Sequence, residues 1–432
     1  MQDSPALLPS SLAAGAQRSF DVARLFAPAA AIEAFFARVA LAPPRVERVA
    51  LDASIGRVLA EDAVAREDHP AHPRSTMDGF ALRSGDGKRA RRVVGEVLMG
   101  APPPPRALEA GEAIRVPTGG AVPAGADAVV PQEDVDVAGE GSIAPRKTVE
   151  FGACITPRAE DVRGGETVLT AGRRLGGPEL GVLATLGITS VPVFVRPRIG
   201  ILSTGDELVD PDRTPLAGQV RDSNRYAIAA ALVALGAEPV QIARSADAPD
   251  VLRASLRAAL ETCDALFSTG GSSVGERDLV PRIVAELGAP GPIVHGLRVK
   301  PGKPTLLAAV GPKPVIGLPG NPASSLMILE AVVRPIVAAL CGERYSAPPK
   351  FLARASRAFA GRAGWTWYVP VRLRRRGAEL EAEPMTIRSA QTSLLARASG
   401  YVTIEEDAAP VEAGGWVNVS LFSCGGAPIE TA

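Results

Sequence analysis

Three short apolar runs, each ending in a glycine-bearing turn, limit what residues 198–340 can fold into. Residues 199–202 run into Ser203-Thr204-Gly205-Asp206-Glu207-Leu208. Residues 265–267 lead into Ser268-Thr269-Gly270-Gly271-Ser272-Ser273-Val274-Gly275-Glu276-Arg277-Asp278, and 315–317 into Leu318-Pro319-Gly320-Asn321-Pro322. Apolar runs of this length, with helical patterns between them, read as buried parallel strands of an α/β domain. In such sheets the loops at the carboxyl ends of the strands line the ligand crevice. Glycine lets the backbone approach a ligand closely, and successive N–H groups in such turns form anion-binding concavities. Asp206, Glu207, Glu276 and Asp278 add carboxylates, and Lys300 and Lys303 stand in Val299-Lys300-Pro301-Gly302-Lys303-Pro304. Together these groups suit a phosphorylated ligand held with a divalent cation.

At 432 residues the chain exceeds one ordinary core and implies two to four domains. Lys+Arg and Asp+Glu both number 47, so global charge argues for neither nucleic acid nor a membrane surface as partner. Four cysteines far apart (Cys154, Cys263, Cys341, Cys424) read as buried free thiols in a reducing compartment. The N-terminal stretch lacks a signal-peptide pattern, and no stretch reads as long and apolar enough to span a bilayer, so the expected location is the cytoplasm.

In chain order, the small polar start reads as a disordered lead, followed by a helical pattern over 30–39. Residues 46–51 read as a strand and 53–59 as a short helix. From His69-Pro70-Ala71-His72-Pro73 to about Glu150, short valine-rich runs among prolines and glycines predict a small β-rich module. Helices are expected over 178–186, 225–235 and 251–262, with Asp222, Ser223 and Asn224 offering caps for the second. Asn321 as N-cap and Pro322 at the first position open a long apolar helix to about Leu340. Strand-like runs over 354–373, 379–384, 401–405 and 416–421 predict a terminal β-barrel or sandwich.

Two further constellations lie outside the central stretch: Ser75-Thr76-Met77-Asp78-Gly79-Phe80 and Pro117-Thr118-Gly119-Gly120. An Asp-Gly turn is structural more often than catalytic, Asp161 alone reads as a solvated loop acid, and His69 with His72 lacks a third metal ligand. Taken in order with Glu160-Asp161, the three glycine turns and Lys300-Pro301-Gly302-Lys303-Pro304, however, these motifs make a specific set. The chain resembles the molybdopterin molybdenumtransferase family (bacterial MoeA, the gephyrin E-domain) from about Val22 to Leu421.

The resemblance implies a multidomain α/β plus β architecture. A disordered lead covers 1–20, a discontinuous linker domain 21–65 and 156–195, and a β-rich arm 66–155. A central, doubly wound α/β domain like the molybdopterin adenylyltransferases covers 196–345, and a C-terminal β-barrel 346–432. It also implies a homodimer, with the arm of one subunit facing the central domain of the other, and contacts with a molybdopterin adenylyltransferase and recipient apoenzymes. The implied reaction is the last step of molybdenum cofactor assembly: molybdate and adenylylated molybdopterin react with the help of Mg²⁺, and AMP leaves. Carried over motif by motif, Asp78, Asp161, Glu207, Asp247, Asp278, Lys300 and Lys303 are the catalytic candidates, with Glu207 and Asp278 on the metal. Thr118, Gly270, Gly271, Ser272, Gly275, Pro301, Gly320, Asn321, Ser324 and Ser389 are the substrate-binding candidates. The readings that compete are an adenylyltransferase and a non-catalytic pterin-binding scaffold.

The chain departs from the family's pattern in places. Gly296 stands where some members carry lysine, leaving Arg298 to supply that charge, and Pro370 stands where many place arginine. These departures bear on the oxyanion pocket and on preference between molybdate and tungstate.

Overall fold

The computed structural model describes residues 25–102, 104–246, 248–270, 279–387, 391, 393–423 and 425–431. The lead over 1–20 lies outside them. The chain divides into two compact units, one of residues 48–55 and 59–193, the other holding the rest of the described chain.

The first unit is built on a six-stranded sheet in the order Ala128–Pro131, Gly79–Leu82, Glu112–Val116, Arg91–Glu96, Ser142–Pro145, Val135–Val137. Residues of opposite parity feed two small cores. Ala81, Ile114, Val116 and Val129 enter one, and Leu82, Ala113, Ala128 and Val130 the other. That is the period-two alternation of a sheet covered on both faces. Upstream, the helix expected over 53–59 is a single 3₁₀ turn, Asp52–Ser54. Gly56 follows it at φ +69°, a left-handed conformation that stops a helix, and Leu59 instead forms a bridge with Val193.

The second unit carries a six-stranded sheet ordered Glu238–Gln241, Arg198–Ser203, Ala265–Thr269, Lys313–Leu318, Leu306–Val310, Pro290–His295. The first four strands are mutually parallel; Leu306–Val310 runs antiparallel to them, and Pro290–His295, antiparallel to it, points the same way as the first four. The three glycine turns therefore leave the same edge of adjacent strands. Helices cover both faces. On one, Ile199, Ile201, Phe267 and Ile316 pack with Ile228 and Leu232 of helix Asn224–Ala234 and with Met327 and Ile336 further on. On the other, Leu202, Leu266 and Val315 pack with Leu252 and Leu256 of Pro249–Thr262 and Val280 and Ile283 of Leu279–Leu287.

Asn321 caps the long helix as expected, its side-chain oxygen accepting from Ala323 N at 3.1 Å and Ser324 N at 3.4 Å. The helix runs as an α segment Pro322–Ile328, a π segment Leu329–Val333 and an α segment Arg334–Leu340. Pro335 has no N–H to offer the preceding turn, which accounts for the change of winding just before it. Over Pro322–Leu340 this helix is long and apolar enough to cross a membrane by length and composition, contrary to the sequence reading. Most of it is buried, as befits the core helix that it is.

Five strands close a barrel: Thr366–Arg376, Glu379–Pro384, Lys350–Ala355, Trp416–Leu421 and Gly400–Ile404, the last pairing again with the first. The run expected over 354–373 is thus two strands, separated by a loop containing Gly361 and Gly364. Phe359, Val371, Leu373, Ala382, Val402 and Val419 fill the interior. The two-residue strand Val299–Lys300 joins this sheet in parallel, Val299 opposite Thr366 and Lys300 opposite Trp367. Cys263 and Cys341 are buried and Cys154 half-buried; Cys424 lies outside the described residues.

Candidate functional site

In the first unit the structure brings together two residues forty positions apart. The backbone N–H of Thr118 donates to Asp78 Oδ1 at 2.6 Å. That bond, a second from the Thr118 side chain and the positive charge of Arg115 hold the exposed Asp78 carboxyl below its ordinary value. The turn is fixed from behind, Ser75 Oγ donating to Met77 O at 2.6 Å and Gln132 N to Asp78 O at 3.0 Å. Asp161 is exposed, with its backbone N–H on His69 O at 3.2 Å.

In the second unit the strand ends form a cleft of about 300 Å³. Thr204, Glu207, Asp222, Asn224, Gly270 and Gly320 line it. Gly270 sits at φ +85°, and a Cβ there would run into the carbonyl oxygen of Thr204, so only glycine lets these turns meet. A Cβ on Gly320 would lie 3.9 Å from Gly270 Cα, which shows how closely the second and third turns approach. Asn224 Nδ2 donates to Gly320 O at 2.9 Å and ties the third turn to the helix behind it. The Glu207 carboxylate is exposed on the cleft wall.

Asn321 lines this cleft and also the next, a cavity of about 440 Å³ between the Lys300–Pro304 turn and the barrel. Lys300, Pro301, Lys303 and Ser324 line it from one side, and Arg362, Trp365 and Trp367 from the other. Lys300 Nζ lies 4.1 Å from the centre of the Trp367 ring. The Arg362 guanidinium lies 5.5 Å and Lys303 Nζ 5.9 Å from that of Trp365. A ring face attracts a cation without cancelling its charge. Among the described residues no carboxylate lines the cavity, and Lys300, Lys303 and Arg362 bring three basic side chains to its wall.

Arg298 does not supply the charge missing at Gly296, because its guanidinium pairs with Glu406 at 3.1 Å. Asp247, Gly271, Ser272, Gly275, Asp278 and Ser389 lie outside the described residues. Among those described, no group of three or more His, Cys, Asp or Glu is gathered as a metal cluster, His69 and His72 included.

Three lining residues have no counterpart among the sequence candidates: Arg362, Trp365 and Trp367. Their only sequence signal is two of the chain's three tryptophans spaced two apart, which on a strand puts both on one face. Which turn they face follows from the Val299–Lys300 pairing, a long-range contact with no local mark.

A parallel α/β sheet with a glycine-turn cleft, joined to a β-barrel and accompanied by a β-rich unit, defines a class of multidomain molybdopterin-type proteins. Models of that class match along the chain: the MoeA N-terminal region (domain I and II) over 27–187, the probable molybdopterin binding domain over 200–339, and the MoeA C-terminal region (domain IV) over 353–422. The molybdopterin molybdenumtransferase of a Synechocystis species is 33% identical over 376 residues, covering 84% of this chain and 92% of its own. That of Bacillus subtilis is 32% identical over 390 residues, covering 87% and 90%. A crystal structure of the molybdopterin biosynthesis MoeA protein of Pyrococcus horikoshii is similar with a TM-score of 0.79 and 26% identity, covering 92% of this chain and 100% of that one. The chain belongs to the molybdopterin molybdenumtransferase family.

Proposed function

We propose that this chain is an enzyme of molybdenum cofactor biosynthesis that inserts molybdenum, delivered as molybdate, into molybdopterin. The observation that carries the reading is the cavity lined by three basic side chains and no described carboxylate, which shares Asn321 as a wall residue with the glycine-turn cleft. A tetrahedral dianion suits the first chamber, and a phosphorylated pterin suits the two together.

The substrate is the adenylylated form of molybdopterin, and AMP is the leaving group. Lys300 and Lys303 offset the charge of molybdate and of the departing phosphate, Ser324 donates its hydroxyl, and the backbone at Gly270 and Gly320 approaches the anhydride. Glu207 stands on the cleft wall, where it would share a Mg²⁺ ion with Asp278. Mg²⁺ keeps most of its waters and needs only one or two protein carboxylates, so the exposed Glu207 fits it. When bound, that ion would neutralise phosphate charge as AMP leaves. Asp78, Thr118, Asp161, Asp247 and Ser389 complete the set of functional residues, together with Gly271, Ser272, Gly275 and Pro301.

The enzyme works in the cytoplasm as a homodimer, the arm of one subunit serving the central domain of the other, and meets an adenylyltransferase and recipient apoenzymes. Its domains divide at 65, 155, 195 and 345. An adenylyltransferase would need only the central domain; the lysines and Trp floor beside the barrel favour the transferase instead.

One reconstitution assay tests this. Purified chain, adenylylated molybdopterin, molybdate and Mg²⁺ should activate a molybdoenzyme apoprotein and release AMP. Lys300→Ala and Asp78→Ala should each be inactive, and verified heterodimers of the two should recover part of the activity. Full activity in Lys300→Ala would overturn the assignment of the cavity, and dead heterodimers the sharing of sites.

A further inference from the structure

Three arginines stand around the Lys300–Pro304 turn, and two of them are engaged. Arg298 pairs with Glu406 at 3.1 Å. Arg357, beside Lys300 in a neighbouring hollow, donates to Glu383 Oε1 at 3.2 Å and to Pro384 O at 3.3 Å. Arg362 differs: among the described residues its guanidinium makes no hydrogen bond and no ion pair, and lies beside the Trp365 ring. A short turn sets that placement. Trp365 N donates to Arg362 O at 3.0 Å, and Gly364, at φ +77°, donates its N–H to Glu406 O at 2.8 Å. Trp365 also has Lys303 beside it, so two cations are gathered about one ring with no carboxylate in the described lining. Like charges brought together repel, and an anion bound among them offsets that cost.

We infer that Arg362 is the substrate-binding residue that grips the oxyanion in this chain, in place of the arginine that position 370 lacks. The inference rests on molybdate occupying the cavity and adds the residue that reads its shape. Pro370 is buried in the strand Thr366–Arg376, opposite Tyr401, and lines the neighbouring hollow of about 220 Å³. That hollow shares Lys300, Pro301, Trp367 and Ile387 with the cavity. An arginine at 370 would therefore enter the site from the strand, whereas Arg362 brings its guanidinium from the turn that precedes it. The lysines supply point charges, but a planar fork offers two parallel N–H donors to two oxygens of a tetrahedral anion. Contact with Trp365 restricts the side chain before the anion arrives, which lowers the ordering cost of binding.

The test is equilibrium dialysis of the full chain against molybdate, with AMP as a second probe. Arg362→Gln should weaken molybdate binding by about 10-fold or more and leave AMP affinity unchanged. Arg362→Lys should recover only part of the loss, because an ammonium does not replace the fork. Adding Pro370→Arg to Arg362→Gln should recover most of it. Molybdate bound as tightly by Arg362→Gln or Arg362→Lys as by wild type, while Lys300→Ala loses it, overturns the inference and spares the reading of the cavity. Equal losses of molybdate and AMP overturn it as well, as the mark of a disturbed fold. So does a double variant, folded by circular dichroism, that binds no better than Arg362→Gln. Absence of molybdate binding by wild type overturns the reading of the cavity itself.

Discussion

Glu330 sits in the π segment of the long helix with its side chain only 3% exposed. Its carboxylate accepts from Ser423 N at 2.9 Å, from Ser423 Oγ at 2.6 Å and from the Arg334 guanidinium at 3.2 Å. One buried acid thus fastens the core helix of the α/β domain to the chain just after the last barrel strand, Trp416–Leu421. Glu330→Ala would leave the Ser423 N–H and hydroxyl without an acceptor and the arginine without a counter-ion. Breaking a buried charged pair costs about 3–5 kcal/mol. Arg334, 21% exposed, can turn to water, and this places the expectation near the lower end, about 3 kcal/mol. For a unit of nearly 290 residues that lowers the melting temperature by roughly 5 °C. Glu330→Gln, which keeps one acceptor oxygen, should fall about halfway. Differential scanning calorimetry of wild type and both variants is the measurement, with near-ultraviolet circular dichroism to follow the tryptophans of the barrel. A Glu330→Ala protein melting within about 2 °C of wild type would refute the claim that this network holds barrel and core together.

Gly270→Ala should cost about 2 kcal/mol in urea unfolding, from left-handed strain and the collision with Thr204 O, and should abolish cofactor formation; an unshifted urea midpoint would contradict the close approach of the turns. The Asp78 carboxyl should titrate below an ordinary aspartate by carbon-13 NMR, and Thr118→Pro, which removes the N–H donor, should raise its midpoint. Because the folded value is lowered, the stabilisation from this contact is complete above the ordinary carboxylate range and is lost as pH falls through the lowered value. An Asp78 midpoint unaffected by Thr118→Pro would remove the backbone donor as its main cause.

How much was legible in the sequence depended on whether the signal was local. The strands at 199–202, 265–267 and 315–317 were plain because burial on both faces writes continuous apolar runs. The cap at Asn321-Pro322 was plain because capping is decided within four residues. The 3₁₀ turn at Asp52–Ser54 was misread as part of a helix because a helical composition masked the stop at Gly56. The pairing of Asp78 with Thr118 and the Trp floor under Lys300 were not legible, since both depend on which strands lie side by side. Arg362 was visible only as one loop arginine among others. Its want of a carboxylate partner is a statement about neighbours in space, which sequence does not carry.

The strand Val299–Lys300 borrows its hydrogen bonds from the barrel, opposite Thr366 and Trp367. The lysine turn is therefore half-owned by each domain, and neither can be shed alone. A gene that lost its last eighty-odd codons would still encode the glycine turns and their cleft, but the lysines would lose both their ladder and their aromatic floor. In descent as in engineering, the barrel and the Lys-Pro-Gly-Lys-Pro turn should be gained, kept or lost as one inheritance, even though more than forty residues separate them along the chain.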